Sequence, residues 1–157
     1  MIQNDFTKNF DAKTFEDMWE NKLKDLDISV LVNNVGMSGA IAEPLVNNTD
    51  QDVHNVMSCN MYGAVLLTHQ VIKSFKRRFE DGGKRSCITF TSALAGIAPL
   101  PTVAVYAASK IFNDYLTWGL GYELKKYNVD VSSWRAAGVS TNMIGNIEPN
   151  PMTASPA

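Results

Sequence analysis

Tyr106 and Lys110 bracket the segment Tyr106-Ala107-Ala108-Ser109-Lys110. If the segment is helical, they lie one turn apart on one face. That spacing brings an ammonium near a phenol, and a nearby positive charge favours the ionised phenol over its reference pKa of about 10. A phenol drawn towards neutral pH can trade a proton with a substrate oxygen, general acid–base help typically worth roughly 10²–10⁴ in rate. Taken alone, Tyr-x-x-x-Lys is common, and a surface lysine beside a half-buried tyrosine is its ordinary explanation. Asn60 is a second candidate. It interrupts an apolar stripe of Val53, Val56, Met57, Ala64, Leu67, Val71 and Phe75, with Gly63 nearby. A buried Asn without partners costs about 1–3 kcal/mol, so Asn60 needs bonds, and a satisfied structural Asn is its plainer reading.

The elements that position these residues alternate between helical and strand-like patterns, which implies a parallel sheet covered by helices. Thr14 offers an N-cap to a helix whose Phe15, Met18, Trp19, Leu23 and Leu26 form one apolar face. The run 27–32 reads as a buried parallel strand and ends at the turn formers Asn33-Asn34-Val35-Gly36. Gly39 and Pro44 keep 37–48 in loop. Thr49, followed by Asp50 and Asp52, starts a long helix that ends near Gly82. A strand over 87–91 ends at Ser92. Gly96, Pro99 and Pro101 mark a loop, and a helix over about 103–126 carries Tyr106 and Lys110. A third strand, 129–134, leads to the loop Ala137-Gly138-Val139-Ser140-Thr141. The Pro-rich tail 146–157 reads as irregular, leaving 1–145 as the single domain. The loops after all three strands fall at their C-terminal ends, where open α/β sheets bind ligands.

The 157 residues suffice for one domain with a real core, and 45% hydrophobic with 19% charged residues is ordinary for a globular chain. A net charge of −2 gives no basic footprint for nucleic acid. Cys59 and Cys87 lack Cys-x-x-Cys spacing and read as buried free thiols of a reducing compartment. His54 and His69 are far apart with no acidic pattern, so no metal site is expected. No run of about 18 apolar residues suggests a membrane span, and the start is not a signal peptide. An intracellular location is expected.

In order along the chain, these pieces resemble the short-chain dehydrogenases/reductases. Asn33-Asn34-Val35-Gly36 resembles that family's Asn-Asn-Ala-Gly turn. Asn60 stands where its helical Asn is found, Ser92 ends a strand ahead of Tyr106-Ala107-Ala108-Ser109-Lys110, and Ala137-Gly138-Val139-Ser140-Thr141 resembles its Pro-Gly loop with a downstream Thr. Asp5 resembles the acidic residue flanking the adenine. With Val35 in the turn, the chain is most similar to the branch of 17-beta-hydroxysteroid dehydrogenases and very-long-chain 3-oxoacyl-CoA reductases of the endoplasmic reticulum; a cytoplasmic location is the other expectation.

The resemblance implies an NAD(P)(H)-dependent oxidoreductase, NADPH being favoured, that reduces a ketone such as a 3-oxoacyl-CoA or a steroid. Tyr106 would pass the proton, Lys110 hold the nicotinamide ribose and lower the Tyr106 pKa, Ser92 bond the substrate oxygen, and Asn60 hold a water linking Lys110 to solvent. Asn33, Asn34 and Gly36 would line the adenosine side and Thr141 the nicotinamide end. A homodimer through helices 50–77 and 103–126 is also implied.

The chain departs from the family in several places. No Gly-x-x-x-Gly-x-Gly pattern precedes Asn33, so the expected fold is a partial Rossmann-like doubly wound parallel sheet lacking the first two strands and the Gly-rich loop. The opening segment pairs beside the first strand or stays loose. The family's serine commonly stands thirteen residues before the Tyr, which here is Ala93; Ser92 is fourteen before, and Thr91 is a weaker alternative. Ala137 replaces the usual Pro. The alternative function is a catalytically inactive, truncated remnant acting as an interaction module or a non-functional fragment.

Overall fold

The computed structural model describes residues 1–8, 11–39, 43–139, 143, 148 and 153–155. Helix α1 spans Ala12–Met18. Its cap is Asp11, whose side chain accepts the Thr14 N–H at 3.0 Å. Thr14, the expected cap, stands inside the first turn instead, because the Asp11 carboxylate lies three residues ahead of it and takes both its N–H and its hydroxyl. The helix runs on through a π-helical turn, Trp19–Leu23, and buries Phe15 and Trp19. The opening segment forms no strand among the described residues. It docks through Phe6, which stacks on Phe15 at 5.8 Å between ring centroids.

Three parallel strands form the main sheet in the order β1 (Val30–Asn33), β2 (Ser86–Ala93), β3 (Val129–Ala136). Leu31 registers with Ile88, and Ile88 with Val131. One face is covered: Leu31, Ile88, Phe90 and Val129 pack with Trp19, Val71, Phe75 and Leu124. The period of two sends the alternate residues to the other face, where Val30 and Val32 are each 57% exposed and Trp134 is 70% exposed. The expectation that run 27–32 is buried on both faces therefore fails. The strand begins only at Val30, and Leu31 is its sole buried residue. Among the described residues the outer edges of β1 and β3 pair with no strand.

Helix α2 (Asp50–Met57) starts at a capping box in which Thr49 and Asp52 satisfy each other's backbone N–H. A π-helical turn, Ser58–Tyr62, joins it to α3 (Gly63–Glu80). After α3, Gly82 (φ 131°) and Gly83 (φ 69°) take left-handed positions that suit glycine, and the chain returns to β2. Helix α4 (Ala104–Leu124) connects β2 to β3. Gly138–Val139 (β4) pairs in parallel with Thr153–Ala154 (β5), so the expected irregular tail contains a short strand. Among the described residues no helix is long and apolar enough to cross a membrane.

Candidate active site

The C-terminal ends of the three strands open onto a cleft of about 570 Å³, lined by Asn34, Gly36, Thr91, Tyr106 and Lys110 on one side and by 136–139 on the other. Helix α4 follows β2, so its first two turns carry Tyr106 and Lys110 to that rim. Lys110 is 4% exposed. Its Nζ donates to the Thr91 carbonyl at 3.0 Å and lies 5.5 Å from the centre of the Tyr106 ring. Gly36 makes room for it: a Cβ there would lie 3.1 Å from Lys110 Nζ and 3.3 Å from Asn60 Oδ1.

Burial, the main influence on Lys110, pulls its pKa below the ordinary 10.5, with the Cys59 thiol opposing the shift. Burial also raises the Tyr106 phenol above its ordinary 10.0. The expectation that Lys110 lowers the Tyr106 pKa is thus overturned. The ammonium sits over the ring and bonds a main-chain carbonyl, and desolvation of the phenolate dominates.

Asn60 is 1% exposed and fully bonded. Its Oδ1 accepts the Met37 N–H at 2.8 Å, and its Nδ2 donates to Met37 O at 2.8 Å and to Ser109 Oγ at 2.9 Å. Ser109 in turn donates to the Tyr106 carbonyl at 2.7 Å. One amide therefore ties the turn after β1 to the helix of Tyr106. The π-helical turn 58–62 lies around this residue, as such turns often do at functional sites. Ser109 was missed as a site residue, although its place inside the Tyr-to-Lys turn was the available signal.

Ser92 also borders the cleft, but its hydroxyl donates to the main-chain carbonyl of Lys110 at 2.9 Å. In β2 it shares a face with Ile88 and Phe90, under the helices. Ala93, thirteen residues before Tyr106, lines the cleft without a hydroxyl. Thr91 Oγ1 is engaged with Asn34 Oδ1 at 2.8 Å.

The remaining expected residues scatter. Asn33 donates to Thr68 Oγ1 at 2.9 Å, pegging β1 to α3. It lines a small recess with Phe6 and Cys59 rather than the main cleft. Asp5 is bonded within its own turn to Thr7 and Lys8. Those bonds, Thr7 first, hold its exposed carboxyl below the usual range, and it does not line the cleft. Thr141 lies outside the described residues. Sequence reading also missed Asp114, which is 0% exposed and accepts from Arg135 Nε at 2.8 Å. Its other oxygen and Asn113 Oδ1 have no partner.

Lys110→Met is expected to stabilise the fold by about 1 kcal/mol, raising the Tm by roughly 2–4 °C, because it removes a desolvated charge. The lysine's folded pKa is lowered, so its unfavourable contribution is full below that pKa and fades as pH approaches the ordinary 10.5. Thermal melts at pH 7 and 10.5 should show the advantage shrinking.

A model of the short chain dehydrogenases matches residues 1–151, and the chain belongs to that family. A very-long-chain 3-oxoacyl-CoA reductase of Ajellomyces capsulatus is 37% identical over 127 residues, 81% of this chain and 35% of the relative. Another, from Coccidioides immitis, is 32% identical over 130 residues, 83% and 35%. The chain thus spans about a third of the length of the curated relatives it matches. Among solved structures, a 3-ketoacyl-(acyl-carrier-protein) reductase from Brucella melitensis, complexed with NADH, superposes with TM-score 0.76. That match has 22% identity and covers 94% of this chain and 59% of the other. A ketone-specific alcohol dehydrogenase from Comamonas testosteroni gives TM-score 0.72 at 25% identity, covering 97% and 55%. The three-stranded parallel sheet with its helices is part of a Rossmann-like fold.

Proposed function

We propose that the cleft is the proton-handling half of a nicotinamide-dependent ketone reductase, with a 3-oxoacyl thioester as the preferred substrate class. The observation that carries this reading is the meeting of Tyr106 and Lys110 in one cleft beside Gly36. Tyr106, protonated at neutral pH and pushed further from ionisation by its burial, donates a proton to the substrate oxygen as charge develops there. Lys110 presents its ammonium beside Gly36, where a Cβ would crowd its Nζ at 3.1 Å. Asn60 and Ser109 fix the spacing between the turn and α4. A nicotinamide, NADPH or NADH, supplies the hydride when bound. The residues present fit its ribose end; before Asn33 the sequence has no Gly-rich strand-turn-helix to hold the pyrophosphate.

A second reading, an interaction module without turnover, is favoured by a cleft in which Ser92 is turned away and Ala93 brings no hydroxyl. One experiment separates the two: titration of the purified chain with NADPH and NADH, followed by nicotinamide fluorescence and by oxidation with a 3-oxoacyl thioester. Micromolar binding with turnover excludes the module. Binding weaker than about 1 mM, under ~4 kcal/mol, with no turnover, excludes the reductase.

For association with a second copy, the support is the outward flank of α4, where Tyr115 is 66% exposed, Trp118 50% and Tyr122 86%. Such a patch is unusual on a monomer. Sedimentation should give a dimer that Trp118→Asp dissociates; a wild-type monomer at all concentrations removes this reading.

A further inference from the structure

We propose that Ser92 is a positioning residue, one jaw of a clamp by which the end of β2 fixes Lys110 in the cleft. Two bonds between the same elements run in opposite directions. Ser92 Oγ donates to the Lys110 carbonyl at 2.9 Å, and Lys110 Nζ donates to the Thr91 carbonyl at 3.0 Å. Consecutive strand residues thus grip one helix residue by its backbone and by its side-chain tip.

A third contact closes the clamp. At Gly96, three residues past the strand, a Cβ would stand 2.9 Å from the Ile111 nitrogen and 3.2 Å from the Lys110 carbonyl carbon. That is closer than a real side chain tolerates, so glycine is what lets the chain lie against α4 here. Ser92 is 1% exposed, so its hydroxyl has no water to bond in place of this carbonyl.

The clamp sets how deep the ammonium sits. With the Lys110 backbone held by Ser92, Nζ reaches Thr91 and packs between Gly36 and the Tyr106 ring. Without that hold the helix turn relaxes outward and the flexible lysine stem carries its charge into the water of the cleft. The titratable groups around Lys110 are the Tyr106 phenol on its own helix and the Cys59 thiol from the π-helical turn. Asp114, one turn along α4, is engaged by Arg135. From β2 and the 34–37 turn only neutral groups approach. The burial that lowers the Lys110 pKa is therefore what a loosened clamp would relieve. The catalytic value of this depth rests on the reductase reading; the clamp itself does not.

The test is the Lys110 titration midpoint, followed by NMR of lysines labelled at Cε and assigned with K110R, in the absence of cofactor and substrate. In S92A the midpoint should rise towards 10.5 by at least about half a pH unit, threefold in the equilibrium. S92T, which keeps the hydroxyl, should hold the wild-type midpoint. A merely structural serine would lower the Tm of S92A without moving the midpoint, and that outcome overturns the proposal. If S92A does not fold, S92C keeps the volume and weakens the donor, and a wild-type midpoint in S92C overturns it equally. Loss of turnover is not part of the readout, so failure of the reductase reading and failure of the clamp are seen separately.

Discussion

Tyr106→Phe is expected to lower turnover of a 3-oxoacyl thioester by about 10²–10⁴ while leaving cofactor affinity and Tm unchanged. The substitution removes one hydroxyl and keeps the ring over which the Lys110 ammonium lies at 5.5 Å, so the packing persists. A pH profile adds a second check. Burial raises the phenol above 10.0, so the protonated donor is fully present at neutral pH and is lost only as pH climbs through the raised value. Reduction by the wild type should therefore stay flat through neutrality and fall only above about pH 10; a fall centred near pH 7 would contradict burial as the dominant influence. Retained turnover in Tyr106→Phe would take the proton-donor role away from this residue.

The largest effect on stability is expected from Asp114→Ala, a loss of about 3 kcal/mol, the low end for breaking a buried pair because one partner is half-exposed. Asp114 is wholly buried and Arg135 is 38% exposed. Removing the carboxylate leaves the guanidinium facing a cavity between α4 and β3. Against a typical total of 5–15 kcal/mol, a sheet of three strands among the described residues should tolerate this poorly. Replacing both partners, Asp114→Leu with Arg135→Met, should recover most of the loss, since a buried pair exchanged for apolar side chains is often close to neutral. Urea unfolding of the single and double variants gives the comparison. A double variant no more stable than Asp114→Ala would mean that the pair does more than satisfy its own charges.

The order of elements was legible because the helices carry their period, and the one after Thr49 also its punctuation: Thr49 with Asp52 at one end, Gly82 and Gly83 at the other. Tyr106 and Lys110 were legible because four-residue spacing is a property of the helix itself. What stayed hidden depends on side-chain geometry at one cap and on distant partners elsewhere. Asp11 outcompetes Thr14 for the first cap through local carboxylate geometry. Ser92 and Ala93 are adjacent in sequence but face opposite sides of a strand, and only the packed helix shows which hydroxyl is engaged. Asp114 and Arg135 are 21 residues apart, with no periodicity linking helix to strand. The Tyr106 pKa was misjudged because pairing was visible in the sequence and burial was not.

The π-helical turn at Ser58–Tyr62 bears on how this protein can change over time. Such a turn holds an extra residue within the helix while the segments on either side keep their direction. Deleting one residue there should let the turn close into ordinary α-helix. Val71 and Phe75 would still face the sheet, and the loss would fall on the Asn60 amide and its hold on Met37 and Ser109. Conversely, a lineage can re-aim the side chain at position 60 through insertion or deletion within this turn, without disturbing the hydrophobic interior. The architecture thus leaves the chemistry of the cleft free to drift separately from the stability of the fold.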